Sequence, residues 1–229
     1  MRSRNTICTT GRLCRKSSTN WSKTISTSTE KRELRAHLLA HALHDERTLA
    51  DAGEKIAASV TTLPAWDKAE LILVYMAMKS EVRTDAIVRH AFAAGKRVGI
   101  PRIFGQNLVF HEFSGDPGKL SVHAFGIREP DTSLPELDLA LWARSAPILT
   151  IVPGIAFDPQ GHRLGRGRGF YDIFLARHSP ALCSVGICLD SAILGRVPVE
   201  PHDIRMEWVV SEHRTIPTTT LLDSSVNRM

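Results

Sequence analysis

The sequence predicts an α/β fold in three layers, α/β/α, built around a mainly parallel sheet. Three observations carry this expectation. Short β-rich apolar runs alternate with helical patterns along most of the chain, the order that lays helices on both faces of one sheet. The run at 71–78 is continuously apolar and that at 148–152 nearly so, where a strand with one wet face would alternate. The 229 residues, less a polar tail, suffice for one domain with a sizeable core.

The expected elements run as follows. Residues 31–44 and 45–61 read as two helices, with Leu34, Leu38 and Leu39 on one face of the first. Leu71 to Met78 reads as a central strand. Thr84 is placed to cap a helix that continues through Phe92 and stops at Gly95. Arg97 to Ile100 forms the next strand, and Leu108 to Phe113 alternates like a half-buried one. Ile148 to Val152 is a buried strand stopped by Pro153-Gly154. A helix follows from Phe170, with Tyr171, Phe174 and Leu175 at helical spacing, and strands close the fold near Ser184–Leu189 and Trp208–Ser211.

The net charge of +5 is unevenly placed. Residues 1–29 hold six of the Lys and Arg and no acid, which leaves 23 basic against 24 acidic residues in the remainder. The basicity therefore belongs to the tail, and no nucleic-acid partner is expected of the folded part. No apolar run approaches the roughly 18 residues that a spanning helix needs, so no membrane partner is expected either. Residues 1–30 read as a disordered, basic, Ser/Thr-rich tail or a transit segment, and 31–229 as one folded domain. The expected address is cytoplasmic, with the mitochondrion as the alternative if the tail is a transit peptide, and the expected state is a monomer. No Cys-x-x-Cys pair occurs, and Cys183 and Cys188 read as free buried thiols.

Function is concentrated in the run Arg163-Leu164-Gly165-Arg166-Gly167-Arg168-Gly169-Phe170-Tyr171-Asp172. Its glycines let the backbone approach a ligand closely. Its arginines offer planar forks to phosphate or carboxylate oxygens. A helix beginning at Phe170 would add the anion-favouring end of its dipole. The spacing is neither that of a P-loop nor that of a dinucleotide fingerprint. Following a buried strand, the loop lies at the carboxyl edge of the sheet, where open α/β folds bind ligands. It reads as a cradle for nucleotide phosphates.

Other residues extend that reading. Lys31 and Arg35, four apart on a helix, share a face and could grip the outer phosphates of ATP. Asp172 either caps the start of its helix or holds Mg²⁺ beside phosphate oxygens. Glu81 follows the first strand and so sits at the same sheet edge.

The decapeptide, preceded by Val152-Pro153-Gly154-Ile155-Ala156-Phe157-Asp158 and Gly161, resembles the signature of the 5-formyltetrahydrofolate cyclo-ligase family, also called methenyltetrahydrofolate synthetases. Further pieces are similar and in order: Lys31-Arg32-Glu33-Leu34-Arg35, Tyr75-Met76 with Glu81-Val82 and Thr84, Pro101-Arg102, Gly126-Ile127-Arg128-Glu129-Pro130, and Pro198, Glu200, His202 and Asp203. The resemblance implies the three-layer α/β/α architecture of the NagB/RpiA/CoA-transferase-like type. It implies ATP-driven closure of 5-formyltetrahydrofolate to 5,10-methenyltetrahydrofolate, with Mg²⁺ as cofactor. ATP would be bound by Lys31, Arg32, Glu33, Leu34 and Arg35 and by Arg163, Leu164, Gly165, Arg166, Gly167, Arg168, Gly169, Phe170 and Tyr171. The folate would meet Met76, Glu81, Arg166, Gly167, Arg168, Gly169 and Phe170, with the Glu81 carboxylate accepting from the pterin N–H groups. Asp172 and Asp203 would hold the metal, and Arg166, Arg168 and Tyr171 would act in catalysis. His202 reads as a structural histidine. The chain departs from the family pattern in having Phe170 for a tyrosine, Arg168 where Gly or Lys is common, and Glu207 for an aspartate.

Overall fold

The computed structural model describes residues 27–41, 44–122, 128–178 and 181–218. The readings placed on residues 1–26 and on Gly126 and Ile127 lie outside the described residues.

Helix α1 (Thr27–His41) begins four residues before the expected start, so Thr27 to Glu30 belong to the helix rather than to the tail. Helix α2 (Glu46–Val60) is opened by Asp45, whose side chain accepts from the Thr48 amide. A short helix α3 (Pro64–Lys68), with Pro64 at its first position, leads into strand β1 (Leu71–Leu73). The expected strand to Met78 is cut short. The Val74 amide still donates to the Gly99 carbonyl, but the chain then bends at the sheet edge, where the Tyr75 hydroxyl donates to the Val82 carbonyl.

Helix α4 (Asp85–Ala93) starts after Thr84 as expected, yet Thr84 does not cap it with its side chain. The Thr84 hydroxyl donates instead to the Tyr75 carbonyl, tying the loop after β1 to itself. Strand β2 (Arg97–Phe104) forms a hairpin with β3 (Asn107–Glu112). Phe110 and His111 are buried in succession rather than in alternation, because the outer edge of β3 is covered by the segment around Glu136. The Leu137 and Glu112 amides complete that pairing by donating to the Phe110 and Pro135 carbonyls.

A small ribbon, β4 (Leu120–Val122) with β5 (Arg128–Pro130), and helix α5 (Leu139–Ser145) lead to β6 (Ile148–Pro153). The ribbon and α5 were not foreseen. Neither was the two-residue hairpin of β7 (Ala156–Phe157) and β8 (Arg163–Leu164), which converts the polar stretch 158–162 into a tight turn organised by the buried Asp158. Helix α6 (Phe170–His178), β9 (Leu182–Ile187), β10 (Trp208–Val210) and β11 (Thr215–Pro217) complete the chain.

The sheet has seven strands in the order β11-β10-β9-β6-β1-β2-β3. Its inner pairs are parallel, and only the two outermost strands run antiparallel. Alternate β1 residues divide the core. Ile72 joins the cluster formed with α2, α3 and α4, whereas Leu71 and Leu73 join that with α5 and α6. This is the expected three-layer arrangement. Against α1, Leu34 and Leu38 pack on the β7–β8 hairpin as foreseen, while Leu39 remains exposed.

The β6, β1 and β2 strands end at one edge of the sheet, with Phe157 as the support beneath it. Its fully buried ring fills the space that side chains at Gly154 and Gly186 would take. The hairpin that leads to the glycine loop is thereby seated on β6 and β9.

Candidate active site

Above that edge lies a cavity of about 550 Å³, within the usual size for a small-molecule site. Three elements close its charged side. Helix α1 contributes Lys31 and Arg35, the glycine loop contributes Gly165 to Gly169, and the turn after β9 contributes Glu200, His202 and Asp203. Met76 and Glu81 line it from the loop after β1.

The glycine loop is shaped as the sequence required, with different reasons at different positions. Gly167 and Gly169 have φ of +94° and +70°, conformations that L side chains rarely adopt. Gly165 has no such conformation; a side chain there would run into the Arg163 guanidinium. The Gly165 carbonyl accepts from Arg35 Nε at 2.8 Å, which pins α1 to the loop.

Arg163, expected on the phosphates, lines the cavity but is largely buried beneath the loop. Its Nη2 pairs with Asp172 Oδ1 at 2.8 Å, its Nη1 donates to the Pro153 carbonyl at 3.3 Å, and its guanidinium lies 5.8 Å from the Tyr171 ring centre. Arg166 and Arg168 are exposed at the rim. Arg166 reaches across the cavity mouth, donating to Glu81 Oε1 at 3.2 Å and to Ser80 Oγ at 2.9 Å. Phe170 lines the cavity beside them.

Asp172 and Asp203, the expected metal pair, both line the cavity, and each has a cationic partner of its own. Asp172 is engaged by Arg163, and the group whose ligand atoms lie within 4.8 Å of one another is Glu200, His202 and Asp203. Lys31 completes that group, its ammonium 2.9 Å from Glu200 Oε2 and 2.5 Å from Asp203 Oδ2. Partial burial would raise the Asp203 carboxyl, but the Glu200 amide and Lys31 together outweigh it and hold the group below its ordinary value. Two carboxylates and an imidazole this close fit a divalent cation, and the carboxylates suit a hard one such as Mg²⁺. The sequence reading gives Glu200 no role and His202 a structural one. The signal was present, since two acids and a histidine within four residues are a ligand pattern.

Other expected residues fall elsewhere. Arg32 and Glu33 are exposed on α1 and do not line the cavity, and Leu34 packs on the hairpin. Leu164 is fully buried beside it. The basic helix thus narrows to Lys31 and Arg35. Tyr171 lines the cavity but packs against both core clusters, and its hydroxyl is buried without a partner among the described residues. Burial above all, then the nearby Glu81 charge, pushes that phenol up. The far wall is formed by Pro101, Ile103, Leu108 and the buried Glu129, of which Pro101 and Glu129 belong to the resemblance but have no site role in the sequence reading.

The 5-formyltetrahydrofolate cyclo-ligase family is matched over residues 27–212. The chain is 29% identical over 208 residues to a probable 5-formyltetrahydrofolate cyclo-ligase of Schizosaccharomyces pombe, covering 82% of this chain and 98% of that one. It is 30% identical over 165 residues to the 5-formyltetrahydrofolate cyclo-ligase of Escherichia coli, covering 70% and 88%. Its fold is similar to the solved 5,10-methenyltetrahydrofolate synthetase of Aquifex aeolicus, with a TM-score of 0.70, 26% identity and coverage of 86% and 99%.

Proposed function

The chain belongs to the 5-formyltetrahydrofolate cyclo-ligase family, and from that premise we propose how its residues carry the reaction. Its activity is the cyclisation of 5-formyltetrahydrofolate to 5,10-methenyltetrahydrofolate. The observation that supports an ATP-driven course is the convergence of Lys31, Arg35, Arg166, Arg168 and the loop amides on one cavity that also holds a carboxylate cluster.

The chemical difficulty is that a formamide oxygen is a poor leaving group. The formyl oxygen attacks the γ-phosphorus of ATP, and ADP departs. The N10 amine of the same molecule then attacks the formyl carbon. The carbon–oxygen bond breaks, phosphate leaves and the N10 proton is lost, giving the methenyl bridge. Because the nucleophile is already in the substrate, the protein must mainly position and neutralise.

The roles divide by location. Arg166 and Arg168 at the rim neutralise the transferring phosphoryl group, and Gly167 and Gly169 present backbone to it. Arg35 holds α1 against the loop through Gly165. Arg163 faces the cavity from beneath the loop and is held there by Asp172. Glu200, His202 and Asp203 would hold Mg²⁺, which supplies charge neutralisation for the phosphate oxygens when bound. Met76, Phe170 and the far wall enclose the folate.

The test is the growth of the methenyl chromophore when pure protein is mixed with 5-formyltetrahydrofolate and Mg-ATP. Absence of growth with folded protein would refute the activity; growth without ATP would refute the phosphorylation course. We also place the enzyme in the cytoplasm as a monomer with no nucleic-acid partner. Among the described residues no helix is long and apolar enough to cross a membrane. Fusing residues 1–30 to a fluorescent reporter decides the address, since import into mitochondria would overturn the cytoplasmic assignment.

A further inference from the structure

We propose that Glu129 is the carboxylate that anchors the donor edge of the folate's pterin ring, the part expected above of Glu81. The inference deepens the cyclo-ligase reading and rests on it.

Glu129 lies on β5, is 2% exposed and lines the cavity. Among the described residues its hydrogen-bond partner is the Ile103 amide, which donates to Oε1 at 3.1 Å, and no cation stands within ion-pair distance of it. The wall around it is apolar, formed by Pro101, Ile103 and Leu108. A buried carboxylate is costly unless its acceptor positions are filled, and one amide leaves most of them open. A carboxylate in such a wall is suited to a ligand that brings its own donors.

Glu81 is differently placed. Arg166 Nε donates to its Oε1, and the Met78 amide donates to its Oε2 at 3.0 Å. Each of its oxygens thus already has one donor, and through one of them it holds Arg166 over the cavity mouth.

The order of the sheet sets the direction in which substrate lies. Reading from β6 through β1 to the β2–β3 hairpin moves away from the glycine loop and toward Glu129. A phosphate at the loop and a pterin directed toward the hairpin give the folate one orientation. The pterin carries a 2-amino group beside a ring N–H, two parallel donors that match bidentate acceptance by a carboxylate. Tyr75, Met76 and Leu108 supply apolar surface for the ring itself.

The experiment compares wild type with Glu129→Gln, which keeps size and removes charge. The KM for 5-formyltetrahydrofolate should rise about ten- to a hundred-fold, the range for losing a hydrogen bond to a charged group. The KM for ATP and the melting temperature should stay at wild-type values. A substrate analogue lacking the 2-amino group should weaken with wild type by a similar factor and show little further loss with Glu129→Gln. An unchanged folate KM overturns the proposal, as does an analogue penalised equally by both proteins. A lowered melting temperature with both KM values rising together would make Glu129 a strut between β5 and β2, and also overturns it. If wild type produces no methenyl chromophore, the reaction reading itself fails. Calorimetric titration of the folate still decides on Glu129, because binding weakened by the variant supports the assignment, and equal or absent binding refutes it.

Discussion

Removing Asp172 should unfold this protein more readily before it says anything about catalysis. The side chain of Arg163 is 6% exposed and that of Asp172 19% exposed. Among the described residues, Asp172→Ala would leave the guanidinium with the Pro153 carbonyl at 3.3 Å as its remaining hydrogen-bond partner, since Nε has none there. Deleting one member of a fully buried ion pair costs about 3–5 kcal/mol. Asp172 is one-fifth exposed, so water can enter beside the stranded charge, and about 2–3 kcal/mol is the better expectation here. For a domain of this size that corresponds to a fall in melting temperature of roughly 4–12 °C. Asp172→Asn keeps an acceptor for the guanidinium and should recover about half of the loss. The assay is thermal unfolding at pH 7 without nucleotide or metal, where any ligand role is silent. If Asp172→Ala melts with wild type yet has lost turnover, the ion pair contributes nothing and Asp172 acts on metal or phosphate alone.

Three other outcomes are expected. Gly186→Ala puts a methyl group into the Phe157 ring and should lower stability by about 1–3 kcal/mol, read as a shifted urea midpoint with an unchanged slope. Gly167→Ala forces a side chain to a φ of +94° in an exposed loop, so it should raise the KM for ATP about ten-fold through a strain of about 1–2 kcal/mol, with little change in melting temperature. Asp203, held below its ordinary value of 3.8, stabilises the fold above that pH and withdraws its contribution as pH falls through the lower, folded value. Urea midpoints from pH 7 to 3 should therefore begin to decline near pH 4, and Lys31→Met should lower the midpoint at pH 7 and flatten that decline; an identical slope in both proteins would refute the coupling.

Much of this architecture was legible because the relevant signals are local. The apolar run at 148–152 gives β6 since both of its faces are covered, and the alternating glycines mark a loop that two of them enter with positive φ. What was not legible depends on tertiary placement. Thr84 has the right residue type and position for a cap, but a nearby carbonyl offered its hydroxyl a better partner. Arg163 looks like its neighbours in sequence, yet strand β8 turns it under the loop while Arg166 and Arg168 emerge at the rim. Asp172 and Asp203 are both acids lining the cavity, and only the arrangement of Arg163 and Lys31 shows that each is paired with a cation of its own. Glu129 belongs to a piece of the family resemblance, but nothing in that pattern distinguishes a buried cavity acid from a surface one.

Lys31 is the one fully buried residue of α1, and what it touches is a pair of carboxylates rather than a seam of side-chain carbon. Beside the packing of Leu34 and Leu38 on the hairpin, the first helix is therefore held by charge and reach, much as a bound ligand is. Any cation that takes over those carboxylates competes with the helix for its mooring, and any phosphate that draws the ammonium toward itself does the same from the other side. By reciprocity, an alteration that loosens the helix must change the affinity for those ions by the same factor as the ions change the hold on the helix. Occupancy of the cavity and attachment of the amino-terminal segment are in this sense one equilibrium observed at two places.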